Sequence, residues 1–408
     1  MRFQKEGCPV VEMDNGTNHP DLLVGPKSHH IAPFFSLILI LILIFGLCLF
    51  QVSAADHQSL SCGVILPLSG EYSQQGTSIL QGIVLAADEV NAEGGVNGHL
   101  IDLRICDDTG DPDTALHYFQ EMQKENIPVV IGSFTTDLTV PMARESDTHE
   151  IILISPTANG EELYGISSRF YQIYGPVTYA ARSISDWLSY TADRVACIYI
   201  DDEYGRSFYQ DIKSGLNDSI TISATIPVAQ DETDFFTFRD TVLDSAPDSI
   251  VIILYDHRLI PILQNLTDSG YRGKIVLADS FVIDDLEKNA SDIISKFFLF
   301  TISANSNLVP GVQTQKFMSD YQEKFGEDPT GTLAGYGYDS LMVTADAIRL
   351  GSENETISLS SIQKGFQKTR YFGVTGPKVF DAHNSVSPAL DRYVYMDGKF
   401  RLLTTSLP

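Results

Sequence analysis

Apolar runs alternate with stretches of helical periodicity over most of the chain, and the first such unit is Cys62–Asp113. Gly63–Leu68 is a short apolar run bounded by turn residues, which predicts a buried strand. Apolar side chains then recur at helical spacing at Ile79, Leu80, Ile83, Val84, Ala87 and Val90. Gly94-Gly95 is expected to end this helix, and Leu100–Ile105 is predicted to form the next strand.

A strand, a helix and a second strand joined by so short a return predict a right-handed parallel unit. The small, polar loop Leu68–Gly76 follows the first strand, with Ser73 or Thr77 expected to cap the helix. Ligands of open parallel sheets bind beyond the carboxyl ends of the strands. This loop is therefore the first candidate for a binding site.

The same alternation continues in two successive sets. The predicted helices are Ala115–Glu125, Leu138–His149, Tyr179–Tyr190, Ser207–Leu216, Phe235–Asp244 and Leu259–Ser269. The predicted strands are Val129–Gly132, Ile151–Ser155, Arg194–Ile200, Ser219–Ile226, Ser249–Leu254, Lys274–Leu277 and Phe297–Thr301. Regular alternation of this kind predicts an α/β fold with doubly wound parallel sheets. Two sets predict two lobes.

The last hundred residues carry a different pattern. Gln313–Phe325 and Tyr336–Leu350 have helical periodicity. Lys378–Phe380 and Tyr393–Met396 are predicted strands, and Asp397-Gly398 predicts a hairpin turn after the second.

The amino-terminal region precedes this pattern. Residues 1–32 form a polar tail, whereas 33–52 are almost wholly apolar and near the ~20 residues that span a bilayer. Ser53-Ala54-Ala55 resembles a signal-peptidase site. A membrane anchor and a cleaved signal both remain open, and either places the rest of the chain outside the cytoplasmic membrane, in the periplasm or at the cell surface.

Composition narrows the classes of function. The 408 residues include 27 basic and 53 acidic side chains, giving a net charge of −26 that repels nucleic acid and anionic lipid. The sequence contains no hydrolase, metalloprotease, phosphate-loop or dinucleotide signature. We therefore predict neither enzymatic activity nor a cofactor nor a metal site.

Three of the five cysteines, Cys62, Cys106 and Cys197, lie in predicted strands. Their spacing matches no metal-binding signature. We favour three buried free thiols over a disulfide.

Three blocks of the opening unit, PLSG, NAEGGVNG and DDTGDP, resemble the type I periplasmic binding proteins, the branched-chain amino-acid receptors of ATP-driven transporters. The resemblance extends over nearly all of 60–408. It implies two lobes with a ligand cleft between them and three crossovers, near Tyr174–Val177, Thr301–Asn305 and Gly376–Asp381. Lobe 1 would comprise 60–175 plus 304–377, and lobe 2 would comprise 176–303 plus 378–408. It also implies a membrane permease as partner; we expect a monomer or weak dimer.

One candidate loop lies in Val129–Thr139, where a strand runs into a helix. Its hydroxyls, those of Thr135 and Thr136, accompany the N–H groups of a helix N-terminus, a combination that binds carboxylates but also serves ordinary capping. The resemblance places the ligand carboxylate here and at the next loop. The matching positions are Thr136, Ala158 and Asn159.

Three positions depart from the pattern of the family. Asp137 replaces a small residue, where it would either cap the helix or repel a ligand carboxylate. Asn159 replaces a common Thr, and Gln75 replaces an aromatic side chain of the first loop. These departures bear on the identity of the ligand.

The second lobe contributes an acid and two aromatic residues. Tyr204, Tyr255 and Asp279 each follow a predicted strand. In the resembled family the tyrosines line the cleft and the acid pairs with the ammonium of the ligand. Phe134, with both tyrosines, would enclose an apolar side chain.

These residues predict a solute-binding protein for a branched-chain or related aliphatic amino acid that delivers its ligand to an ATP-driven permease. Two alternatives remain open. One is the ectodomain of a sensor or receptor with the same fold. The other is a transport receptor for an amide, urea or an aromatic acid.

Overall fold

The computed structural model describes residues 59–403 except 230–231, 233–234, 237, 282, 305–307, 330, 353–355 and 389. The predicted tail 1–32 and apolar segment 33–52 lie outside the described residues. Within the described part, no helix is both long enough and apolar enough to cross a membrane.

The first sheet is wholly parallel, as the strand–helix–strand pattern predicts. Its strands are β1 (Ser59–Leu66), β2 (Leu100–Asp107), β3 (Val129–Gly132), β4 (Ile152–Ser155) and β5 (Phe170–Gln172), in the spatial order β2-β1-β3-β4-β5. The strands β3 and β4 are buried at every residue, because helices cover both faces of the sheet.

Six helices belong to this half of the described structure. They are α1 (Ser73–Ala92), α2 (Pro112–Lys124), α3 (Thr136–Glu145), and, after the second sheet, α9 (Val312–Phe325), α10 (Leu333–Gly351) and α11 (Leu359–Lys368). Helices α1 and α10 pack closely, because Gly82 and Gly337 leave no side chain between the two backbones. This contact joins the carboxyl-terminal helices to the first sheet in one core.

The second sheet has five parallel strands and an antiparallel edge. Its order is β14 (Lys399–Leu402), β13 (Leu390–Met396), β10 (Phe298–Ala304), β9 (Lys274–Leu277), β8 (Ser249–Ile253), β6 (Arg194–Ile200) and β7 (Thr221–Val228). Helix α4 (Thr178–Thr191) leads into β6, and the parallel strands of this sheet are connected by helices α5 (Glu203–Gly215), α6 (Arg239–Asp244), α7 (Asp256–Asp268) and α8 (Ile283–Ile294). The two-lobe α/β prediction is confirmed.

The chain passes between the lobes beside β5. Gln172 exchanges backbone hydrogen bonds with the returning segment, donating to Asn384 and accepting from Val386. The hairpin of β11 (Tyr371–Gly373) and β12 (Gly376–Lys378) precedes that return. We propose the lobe boundaries predicted from the sequence, because the carboxyl-terminal strands share the core of the second sheet.

A buried ion pair holds the third crossover to α10. The Lys378 Nζ lies 3.7 Å from the Asp339 carboxylate. That carboxylate also accepts from the backbone N–H groups of Val374, at 2.9 Å, and Thr375, at 2.8 Å. Burial raises the pKa of Asp339 and lowers that of Lys378.

Three local predictions were wrong or incomplete. Helix α1 begins at Ser73 with Tyr72 at its N-cap and no side-chain cap, so neither Ser73 nor Thr77 caps it. Cys62 and Cys197 are buried free thiols, but Cys106 is disulfide-bonded. The sequence analysis also gave no element at β5, β11, α8 or α11. Strands β5 and β11 have only three residues each, whereas α8 and α11 do have apolar side chains at helical spacing.

Candidate functional site

The end of β3 and the start of α3 form the first wall of the site. Thr135 occupies the N-cap of α3, where its Oγ1 accepts from the Leu138 N–H at 3.4 Å. The first N–H groups of a helix have no partner within the helix, so those of this turn are suited to an anion. Thr136 follows at the first helical position and is buried.

The loop after β4 is fastened to this wall. The Thr136 Oγ1 accepts from the Gly160 N–H at 3.0 Å, and the Thr157 Oγ1 donates to the Phe134 carbonyl at 2.7 Å. Ala158 is buried beside them. The hydroxyl proton of Thr136 is not used by the Gly160 bond, so it can be donated to a ligand.

The opposite wall comes from the carboxyl ends of three strands in the second sheet. Tyr204 follows β6 and lies in the first turn of α5, Tyr255 follows β8, and Asp279 follows β9. The Tyr204 hydroxyl donates to the Asp279 Oδ1 at 2.9 Å. The Asn159 Nδ2 reaches across from the other lobe and donates to Oδ2 at 3.0 Å.

Asp279 is only 7% exposed in this arrangement. Burial raises its pKa to about 6, and the hydrogen bonds from Tyr204, Tyr174 and Asn159 oppose this effect. Burial disfavours the charged form unless a cation compensates for the lost hydration. A cationic group in the cleft would supply that compensation.

Four aromatic rings form a row across the interlobe boundary. Phe134 and Tyr72 have centroids 5.6 Å apart, Tyr72 and Tyr255 are 5.5 Å apart, and Tyr255 and Tyr204 are 5.8 Å apart. Sequence reasoning missed Tyr72. It lies three residues before Gln75 and provides the aromatic side chain that Gln75 does not.

All nine predicted site residues line one cavity between the lobes. They are Gln75, Phe134, Thr135, Thr136, Ala158, Asn159, Tyr204, Tyr255 and Asp279. Its volume of about 110 Å³ is well below the ~300–1,000 Å³ of many ligand pockets. Tyr72, Phe281 and Leu333 add apolar surface that the sequence did not predict, and Tyr174 adds a ring and a hydroxyl. The site therefore fits one small molecule.

Asp137 does not line this cavity. Its Oδ1 accepts from the Glu203 N–H at 2.9 Å, at the N-terminus of α5 in the other lobe. Thr135 caps α3, so neither of the two roles expected for Asp137 is observed. Together with the Asn159–Asp279 bond, this contact shows that the two lobes meet around the cavity in a closed arrangement.

The described residues contain no group of three or more His, Cys, Asp or Glu side chains arranged to hold a metal ion. The chemistry of the cavity is that of hydroxyls, amides, one carboxyl and aromatic rings. Such groups recognise a small polar ligand with an apolar portion.

Comparison with known proteins defines the class. The family model of periplasmic binding proteins matches residues 59–393, so the chain belongs to that family. Its type I, branched-chain amino-acid branch, indicated by the sequence motifs, is confirmed. The family consists of extracytoplasmic receptors that bind small molecules for membrane transporters.

The relatives are distant but extensive. Leu/Ile/Val-binding protein homolog 2 of Brucella abortus is 23% identical over 87% of this chain and 97% of its own length. The branched-chain amino acid transporter substrate binding protein LivJ of Streptococcus pneumoniae, solved with isoleucine, is 23% identical, with a TM-score of 0.73 over 85% of this chain and 99% of its own. A solute binding protein of R. palustris, solved with benzoate, is 15% identical, with a TM-score of 0.72 over 85% of this chain and 95% of its own.

Proposed function

We propose that the protein captures a branched-chain or related aliphatic amino acid and delivers it to an ATP-driven permease. The carboxylate of the ligand would bind the Thr135–Thr136 turn and the Ala158–Asn159 loop of lobe 1. Its ammonium would pair with Asp279 of lobe 2, and its side chain would pack among the aromatic rings. Only the closed form contacts the ligand from both lobes, so the ligand stabilises closure.

The observation that carries this proposal is the buried carboxyl of Asp279 opposite the N-terminus of α3. A buried acid that no lysine or arginine neutralises, within the described lining, favours a ligand that brings its own cation. The helix N-terminus favours an anion. A zwitterion supplies both charges.

Gln75 supports the same assignment. Its Oε1 is buried at the cavity without a hydrogen-bond donor in the described structure. A buried acceptor left unpaired costs about 1–3 kcal/mol. An ammonium with three donors can satisfy Asp279 and Gln75 together.

Titration calorimetry on the purified full-length protein tests the proposal with three matched ligands. L-leucine carries both charges, 4-methylpentanoate lacks the ammonium and 3-methylbutylamine lacks the carboxylate. We expect binding of leucine, and a loss of at least about tenfold in affinity with either analogue, because each leaves one end of the cavity unpaired. Equal affinities for leucine and 4-methylpentanoate would refute the role of Asp279.

The aromatic lining favours one alternative, a receptor for an aromatic acid. The benzoate-bound protein of R. palustris shares this fold. Benzoate therefore belongs in the same titration series. Binding of benzoate without binding of leucine would replace the amino-acid assignment and retain the carboxylate site at α3.

Attachment to the membrane is a further part of the proposal. Residues 33–52 would either hold the protein at the outer surface or be removed with a signal peptide. Mass spectrometry of the mature protein from its native membrane distinguishes the two, because cleavage after Ala55 removes the whole apolar segment.

A further inference from the structure

A second set of interlobe contacts lies outside the ligand cavity, on one face of α5. Glu203, Ser207 and Asp211 are spaced four residues apart, so they share that face of the helix. The short 3-10 turn Glu161–Leu163 of lobe 1 packs against it. Glu161 and Glu162 of this turn thus meet acidic residues of the opposite lobe.

Glu162 faces Glu203. The Oε2 of Glu162 accepts from the Ser207 Oγ at 2.6 Å, whereas its Oε1 is buried and has no donor in the described structure. Burial raises the pKa of Glu162 to about 7, and the Glu203 carboxyl adds to the effect. A proton shared between the two carboxyl groups gives the buried oxygen a hydrogen bond and removes the repulsion between two negative charges.

Asp211 repeats the arrangement about two turns of α5 beyond Glu203. Its Oδ2 is likewise buried without a donor in the described part of the chain. Burial raises the pKa of Asp211 to about 6, the Thr178 hydroxyl opposes this effect, and Glu161 adds to it. Both pairs join one carboxyl of lobe 1 to one of lobe 2.

Among the residues that the structure describes, no lysine or arginine pairs with Glu162 or Asp211. Arg206 contacts Glu203 at 3.3 Å and Asp201 at 2.9 Å. Arg144 of α3 borders a neighbouring cavity with Asp137, Asp202 and Glu203.

Burial also raises the pKa of Asp202, to about 7, with Asp137 adding to the effect. The interface is therefore acidic from both sides, and a proton is the cation that can enter each carboxyl pair without extra space.

We propose that closure of the lobes takes up protons at the pairs Glu162–Glu203 and Glu161–Asp211, so that the protein holds its solute more tightly in mildly acidic than in mildly alkaline solution. The proposal rests on the proposed function, since the ligand is what closes the lobes. When they separate, water solvates both members of each pair and the protons leave.

The sign follows from linkage. A carboxyl that titrates near 4.5 when solvated and near 7 in the closed form binds a proton only in the closed form between these values. Closure is therefore favoured most at low pH, and the advantage is lost as the pH rises through this interval.

Calorimetry with L-leucine at pH 6, in two buffers with different ionisation enthalpies, measures the protons taken up. We expect about one proton or more per ligand for the wild type, and a marked reduction for Glu162→Gln, which is permanently neutral at that position. The ratio of the wild-type Kd to the Glu162→Gln Kd should rise about tenfold between pH 5.5 and 7. Glu323→Gln, an exposed change on α9, is the matched control and should behave as the wild type.

A ligand-free measurement separates this proposal from the amino-acid assignment. Spin labels on Asp113→Cys and Lys213→Cys, both exposed, report the distance between the lobes of the full-length protein at pH 5.5 and 8. We expect the population with the shorter distance to grow at pH 5.5 in the wild type and to depend much less on pH with Glu162→Gln, which retains only the Glu161–Asp211 pair. If a ligand binds without any uptake of protons, the proposal is overturned. If leucine and benzoate both fail to bind, the proposal is overturned when the distance between the labels does not depend on pH.

Discussion

Asn159 of lobe 1 donates a hydrogen bond of 3.0 Å to the Asp279 carboxylate of lobe 2, although 120 positions separate the two residues. The bond closes the cavity and places an amide beside the acid proposed to hold the ammonium. It also stabilises the ionised form of Asp279, because a donor to a carboxylate opposes the effect of burial.

Asn159→Ala should therefore raise the pKa of Asp279 above its present value of about 6. Leucine binding requires the ionised form of Asp279, which is present above its pKa and is lost as the pH falls through that pKa. Leucine affinity should thus fall more at pH 6.5 than at pH 8.5, measured by calorimetry. Equal losses at both values would show that Asn159 acts on closure alone.

In the wild type, the two titrations act in opposite directions on leucine affinity. Protonation of Asp279 weakens binding below about pH 6, whereas ionisation of Glu162 weakens it as the pH rises toward about 7. We expect leucine affinity, plotted against pH, to pass through a maximum between these two titrations. Glu162→Gln should remove only the decrease on the alkaline side of that maximum. A profile that falls continuously with pH in both proteins would contradict this arrangement.

Tyr204→Phe and Tyr255→Phe form a matched pair that separates the hydroxyls from the rings. The Tyr204 hydroxyl donates to Asp279 at 2.9 Å, whereas that of Tyr255 donates to Asp202 at 2.9 Å. We expect Tyr204→Phe to lower leucine affinity about tenfold, because it removes a bond to a charged group, and Tyr255→Phe to change it much less. If calorimetric titration shows the larger loss of leucine affinity for Tyr255→Phe, the ammonium is not recognised at Asp279.

Asp339→Asn should lower the free energy of unfolding by about 3 kcal/mol or more, because it leaves Lys378 as an unpaired buried charge. Urea unfolding measures the change. The double variant Asp339→Asn/Lys378→Met removes the charge and should recover part of the loss. A single variant as stable as the wild type would mean that Lys378 is neutral in the folded protein.

Gly82→Ala tests the contact between α1 and α10. A Cβ at position 82 would lie 1.8 Å from the Ala334 carbonyl oxygen, so the two helices must separate. We expect a loss of about 1–3 kcal/mol in urea unfolding. Gly311→Ala is the control, since a Cβ there meets no atom within 4 Å and the backbone is extended. Comparable stabilities of the two variants would argue against the tight packing.

Periodicity determined the alternating elements and the two parallel sheets. The resemblance to the family, together with the loop chemistry, selected the nine site residues that line the cavity. These features are local, since each site residue follows a strand whose apolar run is visible in the sequence. The motifs of the opening unit added the family. Three-residue elements such as β5 are too short to show a period, whereas the apolar spacing of Leu359, Ile362 and Phe366 in α11 is visible in the sequence.

Other features depend on which residues meet in space. Tyr72 enters the cavity because α1 begins at Ser73 and leaves Tyr72 as its N-cap, beside two rings distant in the chain. Asp137 contacts the opposite lobe instead of the ligand cavity, and Glu162 lies beside Glu203 of the opposite lobe. The local sequence determined where each of these side chains lies along its helix or loop. The tertiary structure alone decided their partners, because burial and the charge of a distant neighbour determine whether an acid binds a helix terminus, an ammonium or a proton.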